Sequence, residues 1–103
     1  MSRQYYSDMD AMGVNFEWDS EKAEANLSKH GLSFKEASTV FADPLSLTIA
    51  DPLHSSGREE RFITIGTSYQ GALVIVIHCD RGENIRIISA RQATRRERQT
   101  YEQ

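Results

Sequence analysis

The sequence predicts an α+β domain: an antiparallel β-sheet of about four main strands plus a short N-terminal strand, with two N-terminal helices and a C-terminal helix. Three observations carry this expectation. Helix-starting signals stand at Asp19, Ser33 and Thr94. Between residues 45 and 90, four apolar or β-branched segments follow one another with only turn-type residues between them, the pattern of an antiparallel meander. One of them, over residues 72–79, is apolar on both faces, as a central strand is.

Each element has its own warrant. Residues 1–13 are polar and without sustained period, so they read as a flexible N-terminal extension to a domain over 14–103. Residues 14–18 form a short strand. Asp19 is placed to cap helix A over 20–30, with Glu21 near the positive end of its dipole. Gly31 supplies the left-handed residue that ends it, and Lys29 and His30 sit at its negative end. Ser33-Phe34-Lys35-Glu36 is a capping box for helix B, whose Phe34, Ala37, Val40 and Phe41 share one face; Asp43-Pro44 stops it. Strands follow over 45–50, 61–67, 72–79 and 85–90, joined by a loop over 53–60 and by the turns Tyr69-Gln70-Gly71 and Asp80-Arg81-Gly82-Glu83. Thr94-Arg95-Arg96-Glu97 is a second capping box, so residues 94–101 are expected to be helical.

Composition bounds the function. A chain of 103 residues holds one core. No apolar run reaches the roughly 18–20 residues of a membrane span, and the N-terminus has no signal-peptide core. Cys79 is the single cysteine, which suits a reducing cytosol, and its place at the end of an apolar strand reads as a buried small hydrophobe. CxxC, HExxH and Gly-rich phosphate loops do not occur, so neither metal nor cofactor has sequence support. Charge is segregated. Residues 81–98 hold six arginines against two glutamates, a local charge of +4 in a chain of net −3. Such a basic segment on an acidic body is the footprint of contact with a polyanion or an acidic protein. The net negative charge argues against general duplex-DNA affinity, which rests on neutralising many phosphates.

The chain resembles the BrnT family. The residues that carry the likeness are Phe16-Glu17-Trp18-Asp19, Lys22, Asn26, Lys29-His30-Gly31 and Ser33-Phe34-Lys35-Glu36-Ala37 at the start. Toward the end they are Glu60-Arg61-Phe62, Ile65-Gly66, the run from Ile85 to Arg91, Ala93-Thr94, Glu97 and Tyr101. The resemblance implies a cytoplasmic toxin of a type II toxin–antitoxin pair with a RelE-like ribonuclease fold. It implies neutralisation by a ribbon-helix-helix antitoxin, BrnA, contact with DNA only through that antitoxin, and a higher-order toxin–antitoxin complex.

Metal-free RNA cleavage needs a base near the ribose 2′-oxygen, positive charge on the crowded phosphate and an acid for the leaving 5′-oxygen. Arginine suits the second task, because its planar fork binds two phosphate oxygens and stays charged. Arg61, Arg86 and Arg91, on or beside strands, are the candidates. Arg61 follows Glu59-Glu60 and reads equally as a strand-edge arginine paired with an acid. Arg86 sits inside an apolar strand, where an ionised group needs a partner or a site. By strict alternation Arg91 points away from Arg86, so one flat face would not present both unless the twist at the strand end releases Arg91 toward the cleft.

His78 ends the central strand and is either a proton-transfer group or a satisfied core histidine. Lys29 and His30 either stabilise a helix C-terminus or reach into an RNA groove. Arg95, Arg96 and Arg98 are either a solvated helix face or contacts to RNA or antitoxin, and Tyr101 either contacts RNA or packs its helix on the sheet. His54 lies in a polar loop. The alternative to a metal-independent endoribonuclease is a non-catalytic interaction module that holds a DNA-binding ribbon-helix-helix partner.

Overall fold

The computed structural model describes residues 5–9, 13–51 and 59–102, the first of these as backbone alone. The expectations for His54 and for most of the loop over 53–60 fall outside the described residues. In chain order the elements are β1 (Tyr5–Met9), β2 (Asn15–Asp19), α1 (Ser20–His30), α2 (Phe34–Ser38), a 3-10 turn (Thr39–Ala42), β3 (Leu47–Ala50), β4 (Arg61–Thr67), β5 (Leu73–Arg81), β6 (Asn84–Gln92) and α3 (Arg95–Tyr101).

Among the described residues six strands form one sheet in the order β1-β2-β6-β5-β4-β3. Three expectations need correction. The count is six rather than about four plus one, because residues 5–9 pair with β2 although their sequence shows no strand period. The sheet is mixed: β3–β4–β5–β6 is the antiparallel meander, but β2 lies parallel to β6. The cause is the crossover, since the chain leaves β2, passes through both helices and three strands, and returns with β6 beside its start. Helix B is shorter than its apolar face over residues 34–41 predicts. It runs for five residues before it tightens into the 3-10 turn, while the strand expected over 14–18 is present as β2.

Local chemistry explains the helix ends. Asp19 accepts from the amide of Glu21 at 2.9 Å, and Gly31, at φ 66°, closes α1 with its N–H on the Leu27 carbonyl. Ser33 caps α2 by accepting from the Glu36 amide at 3.0 Å. The return bond of the expected capping box is replaced, for the Glu36 carboxylate accepts instead from the Ser68 hydroxyl at 2.7 Å, tying α2 to the β4–β5 turn. Around Thr94 both halves of the box form.

The core lies between one face of the sheet and the helices. Phe16, Trp18, Ile87, Ala90, Val74 and Val76 meet Leu32, Phe34, Ala37 and Val40. The 3-10 turn comes so close to β4 that only glycine fits at position 66, where a Cβ would stand 2.8 Å from Val40 Cγ1 and 2.9 Å from Ser46 Cβ. Cys79 is buried, in keeping with a packing role.

β2 pairs with β6 only from Asn84 to Arg86. Beyond that point the edge of β6 is met by a side chain. The buried Asn26 amide donates to the Ala90 carbonyl at 2.8 Å and accepts from the Ala90 amide at 3.1 Å, as a neighbouring strand would. It also donates to the Leu32 carbonyl at 3.0 Å. Replacing Asn26 with leucine takes this partner from one buried amide and two carbonyls, so the unfolding free energy should fall by roughly 2–4 kcal/mol. Asn26→Asp should destabilise too, because a carboxylate has no proton to give either carbonyl. Urea denaturation checks both; wild-type stability in either variant contradicts the assignment.

Candidate functional site

Residues opposite one another on paired strands project to the same face. On the face away from the core, the register sets out three rows. The first runs Glu17, Arg86, Cys79, Arg61; the second Ser89, Ile77, Ile63, Ile49; the third Arg91, Ile75, Ile65, Leu47. Arg61, Arg86 and Arg91 therefore share one face. Strict alternation separates Arg86 from Arg91, and the structure corrects it for a definite reason. Ile77 pairs with Ser89 and His78 with Ile87, so Ile88 is an extra residue in β6 and its bulge reverses the parity beyond it.

Arg61 and Arg91 line a cleft of about 500 Å³ on this face, together with Asp51, Ser89 and Glu97 and a floor of isoleucines. Arg91 is held by α3: its two terminal nitrogens donate to the two Glu97 carboxylate oxygens at 2.7 and 2.9 Å. Glu97 also accepts from the Thr94 amide at 2.8 Å, so one carboxylate both caps α3 and fastens it to β6. Arg86 stands in the adjacent row, its Nε 3.4 Å from Glu17. Arg81, from the β5 end, reaches Glu17 and Glu59 at 3.9 and 3.7 Å, so acids and bases alternate along this margin. Burial, reinforced by the Glu59 carboxylate, pushes the Cys79 thiol up, while Arg61 acts in the opposite direction; the thiol stays protonated at neutral pH.

His78 is placed elsewhere. It pairs with Phe62 and Ile87 on the core face, is 1% exposed, and lies between the rings of Phe41 and Phe62 at 4.9 and 5.9 Å. Its Nε2 meets the Thr64 hydroxyl at 2.7 Å, which meets Thr48 at 2.7 Å, and its Nδ1 meets Asp80 at 2.8 Å. This is the satisfied core histidine, a sheet's thickness away from the arginines. Period-two alternation separates it from Arg61, whose partner is Cys79.

The remaining candidates divide. Arg96 and Tyr101 line a second groove on the open face, with Leu47, Ile65 and Thr100. The Tyr101 hydroxyl donates to the Leu45 carbonyl at 2.8 Å, which anchors the end of α3, and burial together with Asp43 raises its pKa. Arg95 is exposed on α3, and Arg98 pairs along the helix with Glu102 at 3.4 Å. Lys29 and His30 lie on α1, in a separate groove with Lys22, Ile88 and Ser89. Sequence reasoning missed Asp51, Ser89 and Lys22 as lining residues. An acid directly after an apolar strand was the available signal for Asp51, which reads as a strand terminator because proline follows it. Among the described residues no group of three or more His, Cys, Asp or Glu converges as metal ligands would, and no helix is long and apolar enough to cross a membrane.

The fold and this surface define a small α+β protein with a core-filled sheet face and an arginine-bearing open one. The chain belongs to the BrnT family: the family model described as the ribonuclease toxin, BrnT, of type II toxin–antitoxin systems matches residues 18–97. The fold is also similar to the crystal structure of the Brucella abortus ribonuclease toxin, BrnT. That match has a TM-score of 0.55 at 25% identity, over 76% of this chain and 94% of that one. No curated protein matches the chain significantly.

Two titrations should report on this geometry. The Arg91 guanidinium, helped by the Thr94 amide, holds the Glu97 carboxyl down at about 2. A depressed carboxyl stabilises the fold fully above its unfolded value of about 4.5 and loses that contribution as pH falls toward about 2. Glu97→Gln should therefore flatten the decline of Tm across this acid range. His78 is held below the usual histidine value, chiefly by burial and against the pull of Asp80. The fold thus favours its neutral form, and stability should fall as pH drops below about 6.5. His78→Gln should remove that part of the pH dependence; a variant that tracks wild type would contradict it.

Proposed function

We propose that this chain is a metal-independent endoribonuclease toxin with a RelE-like fold, acting in the cytoplasm. It cuts RNA by attack of the ribose 2′-hydroxyl on the adjacent phosphorus: the new 2′-O–P bond closes a 2′,3′-cyclic phosphate as the P–O5′ bond breaks, and the 5′-oxygen leaves with a proton taken from water. The observation that carries the reading is the placement of Arg61, Arg86 and Arg91 on one open sheet face by the Ile88 bulge. Oriented guanidinium groups above an aliphatic floor stabilise charge that grows on a phosphate in the transition state, where little water competes. Arg61 and Arg91 hold the phosphate oxygens in the cleft, and Arg86 adds charge from the next row. Asp51, which lines the cleft, takes the 2′-hydroxyl proton in this reading. Arg95, Arg96 and Tyr101 on α3 bind the RNA flanking the cleft.

Toxins of this class are paired with an antitoxin. A BrnA-like ribbon-helix-helix protein is the proposed partner, with DNA reached only through it and a higher-order complex as the product. The exposed Leu45, Leu47 and Ile49 at the β3 edge favour such a protein contact and would also suit a purely non-catalytic binding module.

Purified protein incubated with labelled RNA in the presence of EDTA separates the readings. Cleavage should occur, and Arg61→Ala or Arg86→Ala should slow single-turnover cleavage by about 10²–10³-fold at saturating enzyme. Arg95→Ala with Arg96→Ala should instead raise the enzyme concentration needed and weaken its salt dependence. RNA left intact by folded wild-type protein would leave the binding module standing.

A further inference from the structure

We infer that the outer side of α1 is a second RNA-binding groove, continuous with the arginine cleft around the open edge of β6. The substrate is then a single strand of RNA held on both sides of the Ile88 bulge. The inference rests on the ribonuclease reading above and adds to it a second subsite, a substrate form and a length requirement.

The groove on α1, about 210 Å³, is lined by Lys22, Asn26, Lys29 and His30, and its sheet side is Ile88 and Ser89. The same two residues also line the arginine cleft. The two depressions therefore meet at the bulge. They can meet there because β2 pairs with β6 only as far as Arg86, and Asn26 closes the edge one residue past Ser89. Lys22, Asn26 and Lys29 recur at the spacing that places side chains on one helical face. The acids of α1, Glu21 and Glu24, fall outside that face, and every ionisable group lining the groove is basic. In a chain of net charge −3, that is a second local concentration of positive charge, distinct from the arginine segment. Lysines suit this place: as mobile point charges they follow a phosphate backbone without demanding one geometry.

The shape of the path decides the form of RNA. It turns from a sheet face, over a strand edge, onto a helix. Ile88 lies in both depressions and offers an apolar ridge against which a base or ribose packs. A flexible single strand makes such a turn within a few nucleotides, and its bases are free to pack. An A-form duplex presents a stiff cylinder with its bases paired inside.

The test uses fluorescence anisotropy with 2′-O-methyl RNA of mixed sequence, whose blocked 2′-oxygen separates binding from cleavage. Single strands of about four and about twelve nucleotides, within the range of single-strand site sizes, are compared with a duplex of the longer one. Wild type should bind the longer strand about ten-fold more tightly than the shorter, and the duplex more weakly than either. Lys22→Ala with Lys29→Ala should erase most of that length gain. It should also reduce the slope of log affinity against log salt by about 1.4, the loss of two phosphate contacts on a single strand. Lys22→Arg with Lys29→Arg should restore both. The inference is overturned if the alanine variant keeps the length gain and the salt slope, if the duplex binds as well as the single strand, or if no RNA binds. Failure of the ribonuclease reading appears separately, as unmodified RNA that is bound but left intact.

Discussion

One extra residue in β6 governs which side chains this fold presents on each face of the sheet. With Ile88 bulged, Ile87 and Ala90 both face the core, three positions apart, while Arg86 and Arg91 both face outward, five apart. Without the bulge no register of β6 satisfies both sets, and a charged guanidinium would be driven into the apolar layer, at a cost of several kcal/mol. The bulge also lies where β2 has ended and a helix has taken its place, so the local distortion meets no second ladder of hydrogen bonds. Asn26 then supplies to Ala90 the bonds that a strand would have made.

The two faces of the sheet are built on opposite principles. On the inner face, polar groups are few and satisfied: Thr48, Thr64, His78 and Asp80 form one chain of short hydrogen bonds across three strands, and the imidazole is enclosed by aromatic rings. That arrangement fixes register and tautomer but gives the imidazole no route to a substrate. On the outer face, aliphatic rows separate charged ones. Low-polarity surface between fixed charges strengthens their field, which favours a polyanion there despite the net negative charge of the chain.

The helix α3 belongs to the outer face and buries none of its residues. It is held by the Arg91–Glu97 fork at one end and the Tyr101–Leu45 bond at the other. Glu97 therefore sits at the junction of two functions: it completes the helix cap and it orients an arginine of the cleft. A ligand phosphate in the cleft would meet Arg91 already extended and facing outward, an advantage in orientation that a free arginine on a flexible stem lacks.

The sequence by itself determined the class of the fold, the α1 boundaries with their Asp19 and Gly31 caps, the meander from β3 to β6, and the residues that could matter. These are signals of short range: caps, turns and period-two runs reflect the chemistry of a few neighbouring residues. Tertiary structure alone decided that β2 runs parallel to β6 and that residues 5–9 join the sheet, since a strand's partner lies far away in sequence. It alone decided which candidates meet. A single bulge reversed the parity of Arg91, and pairing with β4 assigned Cys79 to the arginine face and His78 to the core. Side-chain direction in a strand depends on a count that one extra residue changes, and nothing local in the run from Asn84 to Arg91 marks where that residue is inserted.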